Sequence, residues 1–296
     1  MLRDFFSGFF QKARYKIRIK EAGRYEMNVK KLKLGLVGKD VSKSLSERIH
    51  SFILGEFGVS CEYERFSVDA SDFDDAMRVL MGDFDGFNVT IPYKRDVFSY
   101  LDEVVGDAYD FGSVNTVLPQ TRKGYNTDGV GFLLMLDFGG IDVKGKKILV
   151  LGAGGAGRSS AAALKKSGAD VFLYRRNQSE LAEVCAQLGV KAATDPEGGG
   201  FDILVNCTGV GMHDIEGKSP VSEKAFAGAT AAVDLIYIPK KSEFLRLAES
   251  TGLKILNGES MLFYQAYFAD CLFLGKEADK NEAKALFNKY TEEKGL

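Results

Sequence analysis

From residue 31 onward, short apolar runs alternate with stretches in which apolar residues recur at helical spacing. The segments KLKLGLVG, EYERFSVD, GFNVTIP and GSVNTVLP predict strands, and the intervening SERIHSFILGEFG, SDFDDAMRVLMGD and KRDVFSYLDEV predict helices. In the first of these helices, Ile49, Phe52, Ile53 and Phe57 lie on one face. Strands that alternate with helices predict an α/β protein with a largely parallel sheet.

A second alternating unit follows a break near residues 139–146. The segment DGVGFLLMLDFGG predicts a helix that ends at two glycines, and strand patterns then recur in KKILVL, FDILVNCTG, TAAVDLIYIP and LKILNG. A chain of 296 residues lies in the range where a second core begins to form. We therefore expect two domains, one formed by residues 34–138 with 259–296 and the other by residues 139–258, with the C-terminal helix returning to the first.

Composition excludes several classes of protein. The net charge is -2 and no apolar run reaches the roughly 20 residues of a membrane helix, so we expect neither a nucleic-acid partner nor an integral membrane protein. Four widely spaced cysteines form no CxxC pair, and there are only two histidines. The cysteine pattern indicates reduced thiols in a cytoplasmic protein without a metal site. With only two histidines, the chain has few candidate residues for the catalytic triad of a Ser-His-Asp hydrolase.

The first 33 residues differ from the rest in charge, because they hold ten Lys and Arg against three Asp and Glu. No continuous apolar stretch follows these charges, as a secretory signal would require. We interpret the segment as a mobile basic extension. An arm that binds a membrane surface or a partner is the alternative.

The segment KILVLGAGGAGRSSAAAL places a glycine loop between an apolar strand and an Ala-rich helix. In a GxGxxG loop, the first glycine permits a tight turn, the second lets the backbone approach a pyrophosphate, and the third lets the helix pack closely. The strand and helix on either side supply the context that gives the motif weight. We therefore predict that residues 139–258 form a Rossmann-type domain whose phosphate-binding residues are Gly152, Ala153, Gly154, Gly155, Ala156 and Gly157.

The end of the next predicted strand indicates which dinucleotide binds. An NAD-binding domain usually carries an acid there for the ribose hydroxyls, whereas this chain carries Arg175 and Arg176. Guanidinium groups suit a 2′-phosphate, so the pair predicts NADP(H). Two solvated surface arginines are the alternative.

Four polar segments precede the glycine loop: SKSLSERIH, GFNVTIPYK, GSVNTV and GYNTDGVGF. They place chemically capable side chains at strand ends or helix starts, where open α/β sheets bind ligands: Ser44, Ser46, Asn88, Thr90, Lys94, Asn115 and Asp128. Taken singly, the serines are compatible with helix caps, Asn115 with a turn and Asp128 with an N-cap. Taken together, they predict a cleft for a small polyhydroxylated acid.

These motifs give the chain a resemblance to the shikimate dehydrogenase family that extends over residues 34–296. The matching segments occur in the family's order: SLS, NVTIPYK, VNT, GYNTDG, GAGGAG, the basic pair, VNCTGVGM, DLIY and NGESMLFYQA. The resemblance implies reversible, NADPH-dependent reduction of 3-dehydroshikimate to shikimate, a step toward the aromatic amino acids, by a monomer or homodimer.

The resemblance also implies a role for each matching position. Lys94 and Asp128 match the catalytic pair, and Ser44 and Ser46 match the residues that bind the substrate carboxylate. Further substrate contacts are implied at Asn88, Thr90, Asn115, Tyr237 and Gln265, and cofactor contacts at Thr208 and Gly258.

Some positions depart from the family's pattern and leave alternatives open. Lys43 and Glu47 flank the carboxylate-binding serines, where the family usually has a histidine and a proline. One alternative is a quinate/shikimate dehydrogenase that uses either dinucleotide. Another is a non-catalytic dinucleotide-binding regulator, against which the presence of both Lys94 and Asp128 argues.

Overall fold

The computed structural model describes residues 31–212 and 215–294, which divide into two units. One unit ends at Thr127 and resumes at Gln265, and the other extends from Asp128 to Tyr264. Most of the predicted basic extension lies outside the described residues. The first strand begins at Leu32, however, so the end of that segment belongs to a sheet.

Six short strands of the described chain form the sheet of the first unit. They are β1 (Leu32–Gly38), β2 (Cys61–Ser67), β3 (Gly86–Val89), β4 (Glu103–Val104), β5 (Thr116–Leu118) and β6 (Lys123–Tyr125). Their order is β2-β1-β3-β5-β6-β4, with β1 parallel to both of its neighbours and β5 antiparallel to β3 and β6. The sheet is thus mixed, and its parallel half contains β1 and β3, from which the polar turns emerge.

Helices cover this sheet through apolar faces. They are α1 (Ser46–Glu56), α2 (Phe73–Asp83) and α3 (Asp107–Phe111). The helix predicted for KRDVFSYLDEV is wrong: Asp96–Tyr100 is a 3₁₀ turn, and the chain then becomes extended at Leu101. The Asp102 N–H donates to Arg122 O, which commits the chain to pairing with β6 instead of continuing a helix.

The second unit also contains a six-stranded sheet within the described residues, and all of its pairings are parallel. Its strands are β7 (Lys147–Leu151), β8 (Asp170–Tyr174), β9 (Lys191–Ala192), β10 (Ile203–Asn206), β11 (Ala231–Asp234) and β12 (Lys254–Leu256). The order is β12-β11-β10-β7-β8-β9. Numbered from β7 as the first strand, this is the 3-2-1-4-5-6 order of the doubly wound dinucleotide-binding fold.

The remaining helices follow the parallel strands or connect the units along the chain. They are α4 (Asp128–Phe138), α5 (Gly155–Lys166), α6 (Leu181–Leu188), α7 (Glu243–Ser250), α8 (Glu259–Leu274) and α9 (Lys280–Glu293). The helix α4 packs against α5, so the structure places the unit boundary at its first residue, whereas the sequence predicts it near residue 139. In the chain from 31 to 212 and 215 to 294, no helix combines the length and apolar character that crossing a membrane requires.

Candidate active site

The two serines predicted to bind a carboxylate meet at the start of α1. The Ser44 hydroxyl donates to Ser46 Oγ over 3.0 Å and accepts the Ser46 backbone N–H at 3.2 Å. Ser44 is partly exposed and Ser46 is buried, while the N-cap residue, Leu45, offers no side-chain cap. Ser44 therefore tightens the first turn of the helix, and the pair presents two hydroxyls beside the helix N-terminus, where anions are favoured.

Arg65, from the end of β2, braces the loop that carries these serines. Its Nη1 donates to Ser42 O at 2.7 Å, and its Nη2 lies 3.5 Å from Glu47 Oε2. The guanidinium thereby holds both ends of the loop. It also offsets the negative charge of Glu47, which would otherwise oppose an anionic ligand.

Three of the predicted substrate residues form one buried hydrogen-bonded group. Asn88 Nδ2 donates to Asn115 O and to Thr116 Oγ1, each over 3.2 Å. Asn115 Nδ2 in turn lies 3.3 Å from Gln265 Oε1. Asn88, Asn115 and Gln265 are each less than a tenth exposed. Since both amide hydrogens of Asn88 are used within the protein, this residue offers a ligand only its carbonyl oxygen.

The turn after β3 carries Thr90 and Lys94. The Thr90 N–H donates to Val37 O at 2.9 Å, and Lys94 O accepts the Val114 N–H at 2.9 Å. Backbone hydrogen bonds therefore fix both ends of the turn against neighbouring segments. Lys94 is only 9% exposed, so most of its side chain is buried.

Asp128, the first residue of α4, follows a firmly anchored residue. The Thr127 N–H donates to Asn115 Oδ1 at 2.8 Å, and the Thr127 hydroxyl accepts from Asn115 Nδ2 at 2.9 Å. Asp128 itself is 6% exposed. The residue before Asp128 is therefore held by the same asparagine that the sequence assigns to the substrate site.

A second buried group, formed by His50, Asp270 and Tyr63, was not predicted from the sequence. His50 Nδ1 lies 2.6 Å from Asp270 Oδ1, and the His50 ring stacks on Tyr63 at a centroid distance of 4.9 Å. The Tyr63 hydroxyl donates to Asn88 Oδ1 at 3.1 Å. The sequence places Asp270 as an acid within the apolar run of the C-terminal helix, a run in which only Gln265 is predicted to contact substrate.

The glycine loop after β7 has the geometry that a diphosphate site requires. Gly152 has φ +103°, and a Cβ on Gly157 would lie 1.9 Å from Gly152 O, so both positions exclude larger residues. A Cβ on Gly154 would meet no protein atom within 4 Å. The loop therefore packs tightly against itself on one side, leaves space at its second glycine, and leads into the N-terminus of α5. These residues fit a dinucleotide diphosphate.

The predicted 2′-phosphate residues follow β8. Arg175 is partly buried and its Nη1 lies 2.7 Å from Glu180 Oε2. Arg176 is exposed, and no carboxylate within residues 31–212 and 215–294 forms an ion pair with it. The two arginines thus differ, because Arg175 would exchange an existing partner for a phosphate whereas Arg176 would not.

A buried carboxylate organises the loops that carry Thr208 and Tyr237. Asp234 Oδ1 accepts from Asn206 Nδ2 and from the Ile236 N–H, each at 3.0 Å. Asn206 Oδ1 in turn accepts from the Thr208 hydroxyl at 2.6 Å. Burial raises the pKa of Asp234 to about 6, although these hydrogen bonds oppose the shift.

The remaining predicted cofactor position, Gly258, excludes larger residues for a steric reason. A Cβ there would lie 2.1 Å from Leu235 O, in the segment that leads to Tyr237. Tyr237 is half-buried, and burial raises the pKa of its hydroxyl. Gly258 therefore allows close packing of this segment, a role that the motif alone did not reveal.

The predicted site residues divide between the two units. The first unit contains Ser44, Ser46, Asn88, Thr90, Lys94, Asn115 and Gln265, and the second contains Asp128, the glycine loop, Arg175, Arg176, Thr208, Tyr237 and Gly258. The described part of the chain holds no cluster of His, Cys, Asp and Glu suited to a metal ion.

Comparison with known proteins identifies the family. Residues 36–117 match the model of the shikimate dehydrogenase substrate binding domain. The chain is 37% identical to the shikimate dehydrogenase (NADP(+)) of Thermus thermophilus over 246 residues, which cover 82% of this chain and 93% of that relative.

Solved structures agree with this comparison. A Thermus thermophilus shikimate 5-dehydrogenase in complex with NADP(H) and shikimate superimposes with a TM-score of 0.79 at 34% identity, covering 87% of this chain and 99% of that one. The Listeria monocytogenes enzyme in complex with shikimate and NAD gives a TM-score of 0.75 at 27% identity, covering 92% and 100%. The chain belongs to the shikimate dehydrogenase family.

Proposed function

We propose that this protein catalyses the reversible, NADPH-dependent reduction of 3-dehydroshikimate to shikimate. The observation that carries the proposal is the buried group formed by Asn88, Asn115 and Gln265, in the unit that also contains the paired serines. A substrate with a carboxylate and several ring hydroxyls requires this combination of hydroxyl and amide groups.

Different side chains bind different chemical groups of the substrate. Ser44 and Ser46 donate to the carboxylate at the N-terminus of α1, where the helix dipole favours the negative charge. Asn115 and Gln265 bind ring hydroxyls, and Asn88 contributes its carbonyl oxygen as an acceptor. Thr90 and Tyr237 supply further hydroxyl contacts. Such a site is selective because a substrate that lacks one of these groups leaves buried polar side chains without hydrogen-bond partners.

Lys94 is the proposed general acid. Bound NADPH supplies the hydride, and the protein must then provide a proton for the oxygen that becomes an alkoxide. The Lys94 ammonium donates that proton and stabilises the charge that grows on the oxygen. In the reverse direction its amine accepts the proton. Asp128 is the proposed acid-base partner that orients the lysine.

The second unit holds the cofactor. Residues 152–157 bind the diphosphate through backbone N–H groups and the N-terminus of α5. Arg175 and Arg176 bind the 2′-phosphate that distinguishes NADP from NAD. Thr208 and Gly258 belong to loops whose positions depend on Asn206, Asp234 and the close packing against Leu235.

A dehydrogenase that accepts quinate and either dinucleotide is the second candidate. The Arg175–Glu180 ion pair favours it, because a phosphate must compete with a carboxylate that already holds the arginine. The Listeria relative whose structure contains shikimate and NAD shows that the family's fold accommodates that dinucleotide. A non-catalytic regulator is disfavoured, because such a protein has no use for a proton-transferring lysine. We further propose a cytoplasmic monomer or homodimer with reduced cysteines.

A cross-assay of substrates and cofactors tests the proposal. NADPH oxidation is followed with 3-dehydroshikimate, and the reverse reaction is followed with shikimate and with quinate, each with both dinucleotides. We expect the highest kcat/KM for 3-dehydroshikimate and shikimate, each with NADP(H). Comparable values with quinate or with NAD would favour the second candidate, and no turnover with any pair would contradict both.

A further inference from the structure

Thr116 is the first residue of β5, and the sequence motifs assign it no role in the site. It directly follows Asn115, and it lies opposite Asn88 in the antiparallel pairing of β3 with β5. The residue has no exposed surface. A buried hydroxyl requires hydrogen-bond partners, and those of Thr116 include both asparagines of the proposed substrate site.

The direction of the hydrogen bonds at Thr116 follows from its neighbours. Asn88 Nδ2 donates to the backbone carbonyl of Asn115 over 3.2 Å, and because a carbonyl can only accept, this end of the Asn88 amide is its NH₂ group. Asn88 Nδ2 therefore also donates to Thr116 Oγ1, again over 3.2 Å. The Thr116 hydroxyl in turn donates its own proton to Asn115 Oδ1, which lies 3.0 Å away.

The side-chain oxygen of Asn115 is surrounded by donors. It accepts from the Thr127 N–H at 2.8 Å, from the Thr116 hydroxyl at 3.0 Å and from the Thr127 hydroxyl at 3.2 Å. A backbone N–H can only donate, which identifies this atom as the oxygen of the amide. Because an amide oxygen has two lone pairs, these donors occupy it fully. Asn115 therefore meets a ligand as a donor, through the Nδ2 atom that lies 3.3 Å from Gln265 Oε1.

We infer that Thr116 is a positioning residue for substrate binding, which acts through Asn115; this inference rests on the proposed function. Its hydroxyl joins Asn115 to Asn88 and occupies the Asn115 oxygen, so that Asn115 presents its NH₂ group to the substrate. The substrate hydroxyl at this position accepts from Asn115, and its own proton goes to Gln265 Oε1, the present acceptor of Asn115 Nδ2. Thr116 takes no part in proton transfer, so its contribution appears in substrate affinity and not in kcat.

The test compares variants that keep or lose the hydroxyl, with shikimate binding measured by calorimetry. Thr116→Val replaces the hydroxyl by a methyl group and should raise the dissociation constant about five- to tenfold, the usual effect of losing one hydrogen bond. Thr116→Ser keeps the hydroxyl and should stay within about twofold of wild type. In both variants, kcat for shikimate oxidation should change less than about twofold. Thr121→Val is the matched control, because the Thr121 hydroxyl donates to Leu118 O at the other end of β5.

A double-mutant cycle tests the route through Asn115. In an Asn115→Ala background, Thr116→Val should change the dissociation constant for shikimate less than about twofold, because the side chain through which Thr116 acts is gone. An undiminished effect in that background would mean that Thr116 acts independently of Asn115, and it would overturn the inference.

The remaining outcomes separate the inference from the proposed function. An unchanged dissociation constant in Thr116→Val, with a lowered melting temperature, would assign Thr116 a purely structural role and overturn the inference. An equal loss of affinity in Thr116→Val and Thr116→Ser would also overturn it, because the hydroxyl would not be the group that matters. If Thr116→Val does not fold, Thr116→Ala is compared with Thr116→Ser instead. A wild-type protein that binds no shikimate would contradict the proposed function itself, and the inference with it.

Discussion

His50 Nδ1 and Asp270 Oδ1 lie 2.6 Å apart in a region of the first unit from which water is excluded. The histidine comes from α1, whose first residues include the proposed carboxylate site, and the aspartate comes from α8, which also carries Gln265. This hydrogen bond therefore connects the two helices that contribute to the substrate site. Asp270 is moreover a carboxyl group with no exposed surface, and its burial has consequences for stability.

Stability should depend on pH through Asp270. Burial raises its pKa from 3.8 to about 6, although His50 opposes the shift. Because the folded state binds this proton more tightly than the unfolded state, its contribution is greatest below about pH 4 and is lost as the pH rises through 6. Asp270→Asn should flatten the decrease in unfolding free energy between pH 4 and 7 by about 3 kcal/mol. Urea unfolding measures this, with exposed Asp75→Asn as the control, and parallel curves for wild type and Asp270→Asn would contradict it.

The open space beside Gly154 should be occupied by the cofactor. An alanine there meets no protein atom within 4 Å, so Gly154→Ala should leave the melting temperature unchanged. It should nevertheless raise the NADPH dissociation constant at least about tenfold, because the second glycine of the loop admits the diphosphate. Gly82→Ala is the control, since it also meets no neighbour. Unchanged NADPH binding, measured by fluorescence titration, would remove the loop from the proposed site.

Reversing the charge at Arg175 should change cofactor preference. Arg175→Glu places a carboxylate where the 2′-phosphate is proposed to bind, so KM for NADPH should rise by about 10²-fold or more while KM for NADH changes little. Arg246→Glu on α7 is the control, because Arg246 pairs with Glu243 outside this loop. An equal effect on both dinucleotides in steady-state kinetics would refute the role of Arg175.

Releasing Arg175 should have the opposite effect. Glu180 Oε2 holds the guanidinium at 2.7 Å, in competition with a phosphate. Glu180→Gln should therefore lower KM for NADPH by about two- to fivefold, a range typical of a partly exposed ion pair. KM for NADH should be unaffected. A higher KM for NADPH would mean that Glu180 orients Arg175 for the phosphate instead of competing for it.

The architecture was largely predictable because strand and helix periods alternate clearly. The order of the second sheet follows from βαβ connections around the glycine loop, and the steric demands at Gly152 and Gly157 are those that the motif implies. The segment after Lys94 was mispredicted as a helix. Its apolar spacing is helical, but pairing with β6 takes over the backbone after Tyr100.

The side chains that support the site were much less predictable. Tyr63 follows the ordinary alternation of a strand, and its hydroxyl meets Asn88 only because β2, β1 and β3 are neighbours. The partnership of His50 with Asp270 joins residues 220 positions apart in the chain. Such contacts depend on tertiary packing, which no local period encodes.

Lys94→Ala tests the central claim most directly, with kcat for 3-dehydroshikimate reduction and the NADPH dissociation constant measured on the same preparation. Lys123→Ala, which removes a lysine that pairs with Glu103, is the control. Lys94→Ala should lower kcat by about 10²- to 10⁴-fold and leave the NADPH dissociation constant within twofold of the wild-type value. A kcat within tenfold of wild type would contradict the assignment of Lys94 as the proton donor.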